Sequence, residues 1–443
     1  MYKITHANIK DWAKNYTGEP FDGILCDPPY ELGFMGKSWD SSGIAFDKDM
    51  WSDLLRILKP GGHLLAFSGS RTYHRMAVAI EDAGFEIRDM IEWVYGSGFP
   101  KSLNIGKAVD KLQGNKREIV RERSGAMNNA KNSEAQSFTK GDVGFKTHFT
   151  ETKGTSEWEG YGTALKPAHE PCVLARKPLD GTVANNVLKH GTGGLNIDGS
   201  RVGYTSESDM ESAKWGGAGK PPSEASWKMQ SKIVYDTRTP LGRFPANLIL
   251  DGSDEVEAVF PQTGKGNGGK PFSYSGREYD NKDSSMFNGD KPQAPSNFND
   301  SGSASRFFYT AKASKSERNA GLEGLPDIEQ HGHYAQDEWS RQNMGNTPDA
   351  KREPTKNNHP TVKPLSLTKY LATLIKPPTG GRLLVPFSGS GSEMIGALQA
   401  GWEYVEGVEL TEEYIPIAEA RIKYWTSKVE EESKQLELID AKA

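Results

Sequence analysis

The sequence predicts an α/β protein built on a doubly wound, largely parallel sheet. Two observations carry this. Near both ends of the chain, short apolar runs alternate with stretches of helical periodicity, the order expected of strands joined by crossover helices. Two of the apolar runs end in loops of unusual chemistry, Asp27-Pro28-Pro29-Tyr30 and Phe387-Ser388-Gly389-Ser390-Gly391-Ser392. In open α/β sheets, ligands bind where strands end in such loops.

The first hundred residues start the sheet. Tyr2 to Ile4 and residues 20–27 read as strands. Asp47 to Lys59 carries Met50, Trp51, Leu54, Leu55 and Leu58 at helical spacing, and Pro60-Gly61-Gly62 is the expected stop. His63 to Phe67 is the next strand. Ser70 is the expected cap of a helix with Tyr73, Ala77 and Ile80 on one face, closed by Gly84. Phe85 to Tyr95 is a further strand.

The Asp27 tetrapeptide stands at the carboxyl end of the second strand. Proline has no N–H for a ladder and pushes the residue before it out of the helical region, so the chain leaves the sheet as a stiff loop. The loop offers one carboxylate, unpaired carbonyls and a flat ring. Such a tetrapeptide arises by chance in roughly 0.2% of chains this long.

Gly96 to Lys101 breaks the alternation. Residues 101–165 read as a basic insertion with little core of its own; Lys101 to Lys153 holds 11 Lys and Arg against 6 Asp and Glu. Residues 166–179 return to the sheet through the apolar run Pro171 to Ala175. Residues 180–355 form a Gly-rich second unit with apolar islands at 185–188, 194–197, 244–250 and 307–309, the pattern of short strands on long loops; 262–304 reads as irregular, headed by a Gly-rich run from Gly264 to Gly269.

Order returns at His359-Pro360-Thr361-Val362-Lys363-Pro364. A helix carries Leu367, Leu371, Leu374 and Ile375, and Pro377-Pro378 ends it. Arg382 to Val385 is a strand, Glu393 to Ala400 a helix closed by Gly401, and Tyr404 to Val408 a strand ending in Glu409-Leu410. The last helix has Ile415, Ala418, Ile422 and Trp425 on one face, and Pro416 requires that it begin after Thr411. Residues 356–426 make the second half of the sheet domain, and 427–443 a charged, frayed tail. A strand, a Gly turn, a helix and a strand ending in an acid form half of a nucleotide-binding sheet. The turn lacks the dinucleotide glycine spacing and the P-loop lysine.

The bulk numbers exclude several classes. Two cysteines, Cys26 and Cys172, make no disulfide framework. No run of about 18 apolar residues spans a membrane, so a cytoplasmic protein without membrane contact is expected. No His/Cys/Asp/Glu spacing marks a metal site. The net charge of −5 is set partly by an acidic end, with 11 Asp and Glu against 5 Lys and Arg from Glu403 on, which masks the basic insertion.

Together, Asp27 to Tyr30, His359 to Pro364, Phe387 to Ser392 and Glu409 make the chain resemble the S-adenosylmethionine-dependent DNA amino-methyltransferases. The order, with the catalytic motif first and the cofactor motif near the carboxyl end, is that of their β group, including phage and prophage members. The resemblance implies a Rossmann-like sheet in circularly permuted order, residues 1–100 and 356–426 as its two halves, and 180–355 as an inserted target-recognition region. It implies S-adenosylmethionine as cofactor, held by Phe387 to Ser392, Glu409, Leu410, His359 and Lys363; Lys363 has either backbone or the cofactor carboxylate as its expected partner. It implies double-stranded DNA as partner, with a restriction endonuclease as a second partner in restriction-linked members. Two positions depart: the family commonly has Thr where Ser392 stands, a mild change, and it has an Asp before the Pro-Phe of the cofactor loop where this chain has Val385. The methionine ammonium thereby loses a partner, leaving Asp27 or a backbone carbonyl.

The chemistry so implied is concrete. A base's exocyclic amine is a poor nucleophile because its lone pair is delocalised into the ring. Asp27 and the Pro28 carbonyl, held stiff by Pro29, would accept its two hydrogens and localise that pair, and Tyr30 would stack on a base flipped out of the duplex. Cytosine-C5 chemistry needs a thiolate instead; Cys172 follows Pro171 but sits in an apolar run beside Glu170, the setting of a core cysteine. Arg306, Lys312, Lys315 and Arg318, around Phe307, Phe308 and Tyr309, mix cations and aromatics either as a DNA face or as a core strand with a solvated helix. Asp before Pro-Pro-Tyr favours adenine N6 by resemblance, with cytosine N4 and a non-catalytic DNA-binding protein as the alternatives.

Overall fold

The computed structural model describes residues 1–33, 38–98, 102–125, 147–207, 209–210, 242–263, 302–312, 314–326 and 356–440. Its centre is a sheet of nine strands: β1 (Tyr2–His6), β2 (Phe21–Cys26), β3 (Leu58–Phe67), β4 (Glu86–Val94), β7 (His169–Arg176), β8 (Leu248–Leu250), β11 (Tyr309–Thr310), β12 (Arg382–Val385) and β13 (Tyr404–Glu409). The spatial order is β1-β13-β12-β2-β3-β7-β4-β8-β11. The missing numbers belong to two separate ladders, β5 (Glu118–Gly125) with β6 (Thr147–Lys153), and β9 (Gln262–Thr263) with β10 (Gly302–Ser303). From β1 to β3 all neighbours are parallel. Every residue of β2 is buried, as a strand covered on both faces requires.

The pairing of β12 with β2 sets up everything that follows. Leu383 lies opposite Gly23 and Leu384 opposite Ile24, in parallel. The two strands therefore end side by side, and the loops leaving them, over 350 residues apart in sequence, are neighbours. β7 is the exception to the parallel rule. It runs antiparallel between β3 and β4, with Cys172 opposite both Phe67 and Ile91. Being reversed, it brings its first residues, including Glu170, to the end of the sheet where β2 and β3 finish.

The helices pack as their apolar faces dictate. Lys48–Arg56, capped by the Asp47 side chain on two backbone amides, buries Met50, Trp51 and Leu54 against β2 and β3 residues such as Phe21, Ile24 and Leu64. Burial of each such side chain contributes about 2 kcal/mol. The Leu365–Leu374 helix is apolar on nearly every side and is buried accordingly. The last helix starts at Ile415, so Pro416 falls in its first turn, where no N–H is needed.

Five local expectations are corrected. The island at 185–188 is part of the helix Val183–His190, capped by Thr182 and closed by Gly191; four apolar-edged residues do not distinguish strand from helix. Ser70 does not cap: the helix is Tyr73–Asp82, and Thr72 precedes it. Pro60-Gly61-Gly62 lies inside β3, where the pairing with β2 shifts register, rather than ahead of the strand. The insertion has structure of its own: the helix Ile105–Gln113 and the β5–β6 ladder, locked where Arg117 bridges buried Asp110 and Glu159. The tail is helical to Asp440. The Gly-rich run from Gly264 to Gly269 lies outside the described residues.

The chain divides into two compact units. The larger comprises Met1–Ser200, Ala246–Val256 and Thr310–Ala443; the smaller comprises Arg201–Pro245 and Glu257–Tyr309. The expected second unit, 180–355, thus contributes parts of its length to both.

Candidate active site

The diproline loop is held from several sides. Thr72 donates its hydroxyl to the Tyr30 carbonyl at 2.8 Å. Glu31 adopts a φ of 56°, left-handed for a non-glycine residue, and the strain is offset locally. Its N–H donates to Asp40 Oδ1, and its carboxylate accepts the Gly43 N–H at 2.8 Å. Asp27 therefore projects from a backbone with little freedom.

Around Asp27 the structure assembles four groups from three distant segments. Lys363 Nζ donates to Asp27 Oδ2 at 2.6 Å and to the Tyr30 hydroxyl at 3.1 Å, and lies 3.3 Å from Glu170 Oε2. The Tyr30 hydroxyl donates to Glu170 Oε2 at 2.8 Å. The ammonium also sits 4.8 Å from the Phe67 ring centre and 5.3 Å from that of Tyr30, on faces that attract cations. Lys363 is buried. Burial opposes its charge, but the Asp27 and Glu170 carboxylates outweigh this and hold its pKa above the usual lysine value. Burial, then the same two carboxylates, pushes the Tyr30 phenol well up, so it stays protonated. Asp27 Oδ1 is buried and has no hydrogen-bond partner among the described residues. A buried carboxylate oxygen left this way favours an incoming donor.

Among the described residues the partner of Lys363 is the Asp27 carboxylate, a contact the sequence reading did not foresee. Glu170 escaped the sequence reading because nothing local marks it. Its signal was an acid at the edge of an apolar strand, beside Cys172. That thiol is fully buried and raised by burial and by Asp27, so it is no nucleophile. Cys26 is buried and raised likewise.

The second loop follows β12. Ser388 N–H donates to the Val408 carbonyl, and Gly389 N–H donates to Glu409 Oε2 at 2.6 Å. Glu409 Oε1 accepts the Thr411 N–H at 2.8 Å. Burial raises the Glu409 carboxyl pKa, although these amides oppose it. Each carboxylate oxygen keeps a second lone pair. Gly389 and Gly391 have φ of 47° and 83°, and a Cβ on Gly389 would stand 2.7 Å from His359 Nε2. Only glycine fits there. His359 Nδ1 donates to the Thr361 carbonyl, and burial lowers the ring's pKa to about 4, so Nε2 is a bare acceptor against the loop. Leu410, next to Glu409, leaves an apolar side chain exposed. Phe387 is half-buried, and Ser390 and Ser392 are buried. Ser388 Oγ is buried without a partner.

Arg421, fully buried on the last helix, bolts this loop. Its Nη1 donates to the Ser390 carbonyl, to Ser390 Oγ at 3.0 Å and to Ser392 Oγ at 3.2 Å; Nη2 donates to the Glu317 carbonyl at 3.3 Å. Burial lowers its pKa to about 10, leaving it charged at neutral pH. Its signal was position: three residues after Ala418, it shares the helix's apolar face. Replacing it by Met leaves several buried acceptors unmet, at about 1–3 kcal/mol each. We expect Arg421→Met to speed hydrogen exchange of the 388–392 amides while sparing those of β3. Unchanged protection of the loop would refute the bolt.

The four expected DNA contacts divide between the two units. Arg306, in the smaller unit, donates to the Gly302 and Ser303 carbonyls at 2.9 and 2.6 Å and to Thr263 Oγ1, and covers the Phe307 ring. Arg318, in the larger unit, is half-buried and donates to the His359 carbonyl at 2.6 Å. Both brace their own units, because carbonyls left over by irregular backbone need donors. Lys312 is exposed. Lys315 begins the short helix Lys315–Asn319, and its side chain lies outside the described residues. Among the described residues no group of three or more His, Cys, Asp or Glu could hold a metal ion, and no helix is long and apolar enough to cross a membrane.

A sheet of this order, with a carboxylate loop and a glycine loop at adjacent strand ends, is a Rossmann-like α/β fold, and in such folds ligands bind at the strand ends. A family profile described as DNA methylase, of the N6/N4 class, matches residues 21–420, and the chain belongs to that family. The type II methyltransferase M.HindIII of Haemophilus influenzae is 26% identical over 152 residues, covering 33% of this chain and 37% of that protein. The chain thus matches little more than a third of that relative's length. Two solved structures are similar. The complex titled M1.HpyAVI-SAM is 14% identical with a TM-score of 0.36, over 95% of this chain and 99% of that one. The cytosine-N4-specific PvuII DNA methyltransferase is 10% identical with a TM-score of 0.40, over 95% and 86%.

Proposed function

We propose that the chain is an S-adenosylmethionine-dependent DNA methyltransferase that methylates adenine N6 in duplex DNA after the base is flipped out. The observation that carries this is Asp27: one oxygen fixed by Lys363, the other buried and unpartnered, on a loop stiffened by two prolines. An exocyclic amine is the donor such an oxygen takes. With Oδ1 and the Pro28 carbonyl accepting its two hydrogens, the nitrogen lone pair is turned out of conjugation toward an incoming methyl. The Tyr30 ring, fixed by Glu170 and Lys363 at its hydroxyl, offers a face for the base. Lys363 stays cationic and holds Asp27 Oδ2 in place during the transfer.

The second loop fits the cofactor. Gly389 and Gly391 let a ligand approach the backbone, Ser388 Oγ is a buried polar atom without a partner, and Glu409 retains lone pairs for ribose hydroxyls. Leu410 and Phe387 offer apolar cover for the adenine ring, and His359 supports the loop from behind. When bound, S-adenosylmethionine supplies a methyl group activated by its sulfonium. Target recognition falls to the region 180–355, and pairing with a restriction endonuclease follows the likeness to M.HindIII.

Incubation with methyl-labelled S-adenosylmethionine and unmethylated DNA, then digestion to nucleosides, tests this. N6-methyladenine is expected. N4-methylcytosine would overturn the base assignment, and tight DNA binding without transfer would overturn the enzyme.

A further inference from the structure

We propose that Glu393 is the residue that receives the methionine ammonium of the cofactor in this chain, the task for which Val385 has no polar atom; this rests on the cofactor reading above. Val385 is completely buried at the end of β12, and its isopropyl group can offer nothing to a cation. Glu393 is the second residue of the helix Ser392–Gln399, directly after the glycine loop, and only 4% exposed. Acids in a first helical turn are common, because the helix N-terminus favours negative charge. Such acids sit in water. This one is buried; its carboxylate accepts its own backbone N–H, and among the described residues no ion pair is formed by it.

The charge balance around it is unfavourable without a ligand. The groups that face it are Asp27 and Cys26 at the end of β2, Lys363 from the segment before the Leu365–Leu374 helix, and Arg421 from the last helix. Lys363 is engaged by Asp27 and Glu170. Arg421 is engaged by the loop. Three carboxylates, Asp27, Glu170 and Glu393, thus share two cations, and Glu393 is the one with neither as a direct partner. Burial, and then Asp27, raises its pKa to about 7. A buried carboxylate in excess is costly unless a cation joins it.

S-adenosylmethionine is such a cation. It carries an ammonium and a sulfonium against one carboxylate. Only the ammonium has N–H donors, so it is the group a carboxylate holds by charge-assisted hydrogen bonds. Glu393 therefore replaces, one helical step beyond the loop, a carboxylate that the strand end lacks.

Calorimetric titration of the full-length chain with three nucleosides tests the assignment. S-adenosylmethionine and S-adenosylhomocysteine both carry the ammonium; 5′-methylthioadenosine lacks the whole amino-acid part. Glu393→Gln is expected to weaken the first two by about 10- to 100-fold and leave the third unchanged. Wild-type affinity for the first two should rise roughly tenfold from pH 6 to 8, as Glu393 loses its proton, and stay flat in Glu393→Gln. Unchanged affinities in Glu393→Gln, or equal weakening of all three, would overturn the assignment while leaving the cofactor reading intact. A wild-type chain that binds none of the three would overturn both.

Discussion

Asp27→Ala is expected to slow methyl transfer by at least ~10²-fold under single-turnover conditions with saturating cofactor. Its affinity for S-adenosylmethionine should change less than tenfold. The reasoning is local. Asp27 Oδ1 is buried and, among the described residues, without a hydrogen-bond partner, so its hydrogen bond is made when the amine arrives. Removing it leaves the rest of the network standing. Tyr30 still donates to Glu170, and Lys363 keeps Glu170 as a counter-ion at 3.3 Å. The loop keeps its braces from Thr72 and Asp40, which do not involve the Asp27 side chain. The loss should therefore fall on the transfer step. Retention of more than a tenth of the wild-type transfer rate would contradict the mechanism, and an equal loss of cofactor affinity would move Asp27 to the other ligand.

How far this site could be read from the sequence depends on what each residue's signal looks like. Asp27 to Tyr30 and Phe387 to Ser392 are legible because their chemistry is compressed into consecutive residues: prolines that must leave a sheet, glycines that must let a ligand near. Their adjacency comes from the pairing of Leu383 and Leu384 with Gly23 and Ile24. Glu170, Lys363 and Arg421 act through partners 140 to 336 residues away, or, for Arg421, through a loop about 30 residues back. A charged side chain carries no mark of which opposite charge it will meet. Burial of the charge is the informative fact, and burial belongs to the fold.

The same distinction runs through the architecture. The strands around β2 and β12 and the long helices follow the period of their apolar residues. β7 was legible as a strand, but its reversed direction was not, because direction is set by the connection before it and not by residues 169–176. The helix Val183–His190 was misread because four residues fit either period; its cap Thr182 and closing Gly191 were the better signal. The last helix outruns the expected tail, running to Asp440 beyond the residues whose apolar spacing marked it.

Lys363→Met should be the most destabilising single change at the site, by about 3–5 kcal/mol. The methionine chain fills most of the same volume, so the loss isolates the charge. Without the ammonium, Asp27 and Glu170 remain buried with no cation between them, and the Tyr30 hydroxyl loses a donor. The expected measurement is a lower urea midpoint with an unchanged slope, since the surface exposed on unfolding is the same. The pH dependence follows from the direction of the shift. Lys363 has a folded-state pKa above its unfolded value of about 10.5, so its contribution is fully present below that value. It is lost only as pH rises through the still higher folded value. The stability gap between wild type and Lys363→Met should accordingly not narrow from pH 6 to 9, and the loss of the ammonium beside Glu393 can only widen it. A gap that narrows over that range would mean that Lys363 releases its proton there, and the ammonium could not be the fixed partner of Asp27 and Glu170.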